Sequence, residues 1–284
     1  MSDNIEKTLE DLWRENLQNF PFKGYINPAR KSAYCAMPAM LYSHVTKDAK
    51  ILDFGCGPLD KTFMFKSLTK NLYAFDTLKD TWHTVDNNDE KIKSYGRQSG
   101  IHFIDTFEEI GAHEYDVIML HDVIEHFHDS PRTLLNTLTS YLKPGGLLVL
   151  TVPNAGNIRK RIHLLLGKTN YPRYGYFYWY PGKWDGHVRE YVRGDLDALV
   201  SYLGLYKKDL RTFHIHLDIL PPSVRSLWRF VSTFMPNTRD SFYLIAEKPK
   251  GWEPRLKPTD EEFSSSFGRQ YFSKFLDIRQ IDWT

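Results

Sequence analysis

Only two cysteines, Cys35 and Cys56, occur in 284 residues. Two thiols cannot build a disulfide framework, which favours a reducing compartment over secretion. Net charge is nearly absent as well. The 37 Lys and Arg stand against 35 Asp and Glu, a formal +2. That balance leaves no electrostatic footprint for a nucleic-acid partner, and none is expected. No apolar run approaches the length of a bilayer span. The first 14 residues are charged and carry no apolar signal core. A soluble, cytoplasmic chain without a transmembrane segment is therefore expected. Neither an internal repeat nor a low-complexity block interrupts it. Aromatic residues, in contrast, reach 15%, and many crowd between positions 171 and 191.

The densest information lies in Ile51-Leu52-Asp53-Phe54-Gly55-Cys56-Gly57. Residues 50–54 predict a short buried strand, and Gly55-Cys56-Gly57 a tight turn out of it. Glycines there allow unusual φ and close approach of a ligand to backbone. A dinucleotide site would follow Gly-x-Gly-x-x-Gly, but Asp60 stands at the third place. Asp60 suits a helix N-cap and is a poor neighbour for a pyrophosphate. Acidic residues at both ends of the turn, Asp53 and Asp60, fit a positively charged cofactor better.

At this point the chain resembles the class I S-adenosylmethionine-dependent methyltransferases. Asp53, Gly55 and Gly57 match that family's first motif, Asp/Glu-x-Gly-x-Gly. Its usual third glycine falls at Leu59, after Pro58. The resemblance covers roughly residues 48 to 204 and is strongest at 51–57 and 115–154.

Strands and helices alternate from residue 50 onward. Strands are expected at 50–54, 71–75, 101–104, 115–120 and 147–152, and crossover helices at 61–68 and 130–142. Such alternation means parallel strands with right-handed connections. A helix at 193–203 precedes two late strands, 205–213 and 241–247. The resemblance implies that these form an antiparallel hairpin at the sheet edge. The expected fold is α/β: a Rossmann-like, doubly wound, seven-stranded sheet, mostly parallel with an antiparallel edge strand and a helical lid insert. Residues 1–47 are expected to form a helical cap, 48–250 the methyltransferase domain with a lid insert near 155–191, and 251–284 a C-terminal extension.

Ligands of open α/β sheets sit outside the carboxyl ends of the strands. After the second strand comes Asp76, 19 positions beyond Gly57. An acid there accepts from ribose hydroxyls, and the resemblance implies this role, with Thr77 beside it. After the third strand, Ile104 and Asp105 are implied at the adenine. After the fourth strand comes His121-Asp122-Val123-Ile124-Glu125-His126. The resemblance implies that its first residues, His121 and Asp122, line the methionine end of S-adenosylmethionine, with Cys56 in the turn. Three histidines and three carboxylates between His121 and Asp129 also suggest a metal. A closed site usually recruits more histidine or cysteine, so no metal is expected, and Glu125 and His126 are taken to hold the loop by local hydrogen bonds.

Beyond the fifth strand, the insert carries Arg159 and then Tyr178, Trp179, Trp184, His187 and Arg189. Aromatic faces with interspersed arginine suit sugar rings, planar rings or cations, although such a cluster can equally be a satellite core. The His-x-Arg-Glu-Tyr pattern at His187 resembles one in methyltransferases found with glycan and natural-product pathways. It suggests His187 as general base and Arg189 as acceptor or loop anchor, with His121 as the second candidate base. A structural role for His187 stays open. O-methylation of a small-molecule or glycan-like acceptor is the expected activity. The alternatives are a nucleotide-dependent oxidoreductase and a non-catalytic scaffold that keeps the cofactor fold. An aromatic, arginine-bearing helix at 224–234 is either a packing surface or a contact with a membrane surface. Oligomeric state is not set by the sequence.

Overall fold

The computed structural model describes residues 3–112, 114–217 and 220–267. Seven strands form one sheet: β1 (Ile51–Phe54), β2 (Leu72–Phe75), β3 (His102–Ile104), β4 (Tyr115–His121), β5 (Leu142–Pro153), β6 (Tyr206–Phe213) and β7 (Ser241–Glu247). Their order is β3-β2-β1-β4-β5-β7-β6. The first five pair in parallel. β7 runs antiparallel to both β5 and β6. The expected antiparallel edge hairpin is therefore present, with β6 outermost.

The helices are α1 (Asp3–Asn19), α2 (Lys31–Leu41), α3 (Thr81–Thr84), α4 (Asn88–Ser99), α5 (Phe107–Ile110), α6 (Arg132–Ser140), α7 (Ile158–Leu165), α8 (Tyr174–Tyr178), α9 (Arg193–Tyr202), α10 (Pro222–Phe234) and α11 (Asp260–Phe267). The central strands are apolar on both faces because both faces are covered. Ile51, Val117, Met119 and Val149 point to one core, which takes Leu9 and Trp13 from α1 and Met37 and Leu41 from α2. Their sequence neighbours Leu52, Ile118, Leu120 and Leu148 point to the other, against Leu135 and Leu138 of α6 and Leu196 of α9. The period of two along each strand divides the residues between these cores.

Several expected boundaries change. The crossover helix expected at 61–68 is a 3-10 helix, Thr62–Ser67, with Thr62, Phe63, Met64 and Phe65 all buried. The side chains are used on every side, and this segment packs against α1 and the sheet at once. α4 and α5 were not evident in the sequence, because α4 is polar and buries only Asn88, Ile92, Tyr95 and Gly96. The strand expected at 147–152 starts earlier, since Lys143 to Gly146 also belong to β5. They are held by Gly145 N–H donating to the Lys248 carbonyl and by Lys248 N–H donating to that of Gly146. Pro38 does not break α2; packing of Met37, Met40 and Leu41 offsets the lost backbone bond. Of the expected extension at 251–284, residues 268–284 lie outside the described residues.

α1 is anchored by a buried polar contact. The Asn16 amide donates to the Asp60 carbonyl at 2.7 Å, and the Tyr95 hydroxyl donates to Asn16 Oδ1 at 2.9 Å. Asn16→Ala would leave both groups buried without these partners, so it should lower unfolding stability by about 2 kcal/mol. Urea denaturation at neutral pH checks this; an unchanged midpoint would show that α1 does not depend on the contact.

Candidate active site

The turn after β1 is fixed from the neighbouring strand. The N–H groups of Gly55 and Cys56 both donate to the Phe75 carbonyl, at 2.8 and 3.1 Å. Gly55 has φ +73°, and a Cβ there would lie 2.7 Å from Val123 Cγ2. Glycine is thus required both by conformation and by close packing on the loop after β4. Leu59 stands where the third glycine would be, and it keeps a left-handed backbone, φ +70°. Complete burial of its side chain offsets the strain that a non-glycine residue meets there.

The acidic residues around the turn divide into two kinds. Asp53 is buried, accepts the Thr62 hydroxyl at 2.6 Å, and has one oxygen without a hydrogen-bond partner. Burial raises its pKa to about 7. Asp60 caps no helix; it is buried and accepts the Tyr34 hydroxyl at 2.5 Å. Asp76 is half-buried and accepts from Gly57 N–H and Leu78 N–H, each at 2.9 Å. A carboxylate offers about four acceptor positions, so it retains capacity for further donors.

Asp122 joins three strand ends. Its carboxylate meets Lys61 Nζ at 2.5 Å and accepts the Thr151 hydroxyl at 3.1 Å, while its own N–H donates to the Thr151 carbonyl. Its φ of +55° turns the chain sharply after β4. Burial opposes its ionisation, but Lys61 holds its pKa down to about 2. His121, beside it, packs against the tilted Phe65 ring at 5.3 Å with Nδ1 near the Thr151 hydroxyl. Burial, then Lys61, depresses its pKa to about 3. This imidazole is neutral at physiological pH.

Glu125 is fully buried, and neither carboxyl oxygen has a hydrogen-bond partner. Burial, then Asp122, raises its pKa to about 8. The expected local hydrogen bonding is therefore corrected for its side chain. Its backbone carbonyl does the holding instead, accepting from Val188 N–H at 2.7 Å and Arg189 N–H at 3.1 Å. His126 and His128 take the backbone carbonyls of Asp185 and Trp184. These bonds fasten the insert and bring His187 over the sheet edge. His187 Nδ1 lies 2.9 Å from Glu190 Oε1, and Nε2 lies 3.9 Å from Glu125. Burial, then His126 and Lys160, lowers the His187 pKa to about 4. Glu125, His126 and His187 present ligand-type atoms within 4.8 Å of one another, a set whose chemistry can hold a divalent cation.

Two cavities meet here. One, about 410 Å³, includes Lys61, His121, Glu125, Arg159 and Lys160 in its wall. The other, about 650 Å³, includes Gly55, Asp76, Asp80, Trp184 and Asp185. Asp122 and His187 line both. The predicted residues His121, Asp122, Arg159, Gly55, Asp76, Trp184 and His187 are thus gathered at one place. Others are not. Ile104 is buried in the core, and exposed Asp105 pairs with Lys93. Thr77 is exposed, and Cys56 is buried within the turn. Tyr178 and Trp179 meet edge to face at 4.7 Å and stay exposed. Arg189 turns to Asp195 at the start of α9. Lys61, Lys160 and Asp240 were missed. Lys61 lies four residues beyond Gly57 of the glycine turn, a position that could have signalled it. Asp240 held no signal, since only folding brings it to Arg159 at 3.1 Å.

The chain matches the family described as a methyltransferase domain over residues 7–207. It is 26% identical over 156 residues to a ubiquinone biosynthesis O-methyltransferase of Rickettsia canadensis, covering 54% of this chain and 62% of that protein. The same named protein of Rickettsia felis is 26% identical over 156 residues, covering 54% and 60%. The chain thus spans about three-fifths of the length of these relatives. A solved structure with a similar fold is the cyclopropane-fatty-acyl-phospholipid synthase-like protein of Lactobacillus casei. It superposes with a TM-score of 0.53 at 10% identity, over 85% of this chain and 99% of that one.

The raised pKa of Glu125 has a stability consequence. Its ordinary value is 4.5 and its folded value about 8. Below 4.5 both states are protonated. Between 4.5 and 8 only the unfolded chain ionises, so stability falls as pH rises and levels off above 8. Glu125→Gln removes this dependence. Relative to wild type, the variant should gain on the order of a few kcal/mol between pH 4.5 and 8. Urea unfolding in chelator-containing buffer across that range measures it; a difference constant with pH would contradict it.

Proposed function

The chain belongs to the methyltransferase-domain family, and from that premise we propose that it carries out O-methylation of a small-molecule or glycan-like acceptor. It is an S-adenosylmethionine-dependent methyltransferase of class I. The observation that carries the finer reading is the pair of cavities sharing Asp122 and His187 as a common wall. Displacement at a methyl group needs donor and acceptor on opposite sides of one point. Two compartments with a shared wall provide such a point.

The second cavity suits the cofactor chemically. Its carboxylates, Asp76, Asp80 and Asp185, complement a cation, and Gly55 gives backbone access. When bound, S-adenosylmethionine supplies an electrophilic methyl group on a sulfonium. Asp76 takes the ribose hydroxyls with its spare acceptor capacity, while the glycine turn and the backbone around Asp122 hold the methionine end. Asp53 acts from beneath, fixing Thr62 and so the segment after the turn. The first cavity takes the acceptor, with Arg159 and Lys160 as donors to its oxygens.

His187 is the base in this proposal. Its depressed pKa keeps it neutral at physiological pH. Nδ1–H donates to Glu190, which leaves the Nε2 lone pair for the acceptor hydroxyl. Glu125, protonated near neutrality, adds no charge that would lock the imidazole as a cation. Residues 1–47 serve as a cap, since Arg30, Tyr34 and Met37 border the acceptor cavity. Among the described residues, no helix is long and apolar enough to cross a membrane.

Calorimetric titration with S-adenosylmethionine and its demethylated product should give micromolar-range binding, weakened at least roughly tenfold in Asp76→Ala. A folded wild type that binds neither would overturn the cofactor assignment and favour the scaffold or oxidoreductase alternatives. Once an acceptor is found among sugars and phenols, His187→Ala should lower kcat roughly 10²- to 10⁴-fold, far more than it weakens cofactor binding. The wild-type rate should stay level on acidification to near pH 5 and fall as pH drops through about 4, where His187 protonates. An acid limb near pH 6.5, or a variant of normal kcat, would exclude His187 as base.

A further inference from the structure

Two helices beside the acceptor cavity wear their apolar faces outward. In α10, Ser232 is buried and Trp228 half-buried against His214, while Val224, Leu227, Phe230 and Phe234 are exposed. Their spacing of three and four puts them along one outer stripe. α7 does the same. From half-buried Ile158, the stripe continues through Ile162, Leu165 and Leu166, and Leu165 is 86% exposed. α8 adds Tyr174, Phe177 and Tyr178, followed by Trp179 at 79% exposure. A soluble surface helix normally turns such a stripe to its core. Exposed apolar surface on this scale marks an interaction site.

Charge identifies the partner. Residues 155–184 contain six Lys and Arg and no Asp or Glu, and residues 219–239 contain three Arg and no acid. Arg161, Lys168, Arg173 and Lys183 are exposed beside the apolar side chains. A second copy docking through the same face would set these cations against their own kind. The mixture of Leu and Phe with Tyr, Trp, Lys and Arg suits the headgroup boundary of a bilayer. We infer that α7, α8 and α10 form a docking surface for an anionic phospholipid bilayer. Arg159 and Lys160 of α7, and Ile215 and His216 just before α10, line the acceptor cavity. Docking therefore brings the mouth of that cavity to the lipid surface. The inference does not rest on the choice of base or acceptor.

The test is flotation of the full chain with vesicles of phosphatidylcholine alone or with phosphatidylglycerol added. Capture by the anionic vesicles, reduced by salt, is expected. Leu165→Asp and Phe230→Asp each replace an exposed side chain, so the fold should persist, as circular dichroism and S-adenosylhomocysteine affinity would verify. Each variant should partition on the order of tenfold less. Three results would overturn the inference: no capture of wild type by anionic vesicles, equal capture by neutral ones, or equal partitioning of folded variants and wild type. Self-association in solution that both variants abolish would assign the surface to a second copy instead.

Discussion

The Lys61–Asp122 ion pair is the constraint on which the site depends. Lys61 follows the turn after β1, Asp122 follows β4, and Thr151 near the end of β5 completes the contact. Three adjacent parallel strands are thereby tied at their carboxyl ends, where ligands of such sheets collect. Asp122 also adopts a left-handed backbone, a conformation that costs free energy unless its surroundings enforce it. Lys61 and Thr151 supply that enforcement. The partition between the two cavities is consequently a rigid feature, built from charge-assisted hydrogen bonds.

Around this partition, titratable groups are set apart by environment. Asp122 beside an ammonium stays ionised, whereas Glu125, three residues on and with no hydrogen-bond partner for its carboxyl oxygens, stays protonated to about pH 8. The histidines at 121 and 187 are both held neutral by burial. Divergent pKa values within one cleft are what acid–base work at neutral pH requires. The insert contributes by backbone as much as by side chain. The Glu125 carbonyl takes two N–H groups from it, and Asn154 bridges to Tyr191 at its base.

The sheet was largely visible in the sequence. Residues 51–54 and 115–121 are near-continuous apolar runs, as doubly covered parallel strands must be. Elements that bury a narrow stripe were not. α4 is polar outside four buried positions, so its periodicity is faint. The 3-10 segment at Thr62–Ser67 was expected as α-helix because apolar content signals burial, not the pitch of the backbone. At the site, residues directly after strands were found by position, while Asp105 and Arg189 went to ion pairs with Lys93 and Asp195.

Local pattern alone determined the glycine turn, the order of strands and helices, and the acidic residue after β2, because each follows from spacing within a few residues and from the parallel topology it imposes. Tertiary structure alone decided that Lys61, Asp122, Glu125, His187 and Asp240 share one cleft. Those residues are separated by up to 179 positions, and their pKa values come from burial and from neighbours that only the folded chain supplies. It likewise decided that α7 and α10 turn their apolar stripes outward. Periodicity shows that a helix has an apolar face; which way that face points is fixed by what packs behind it.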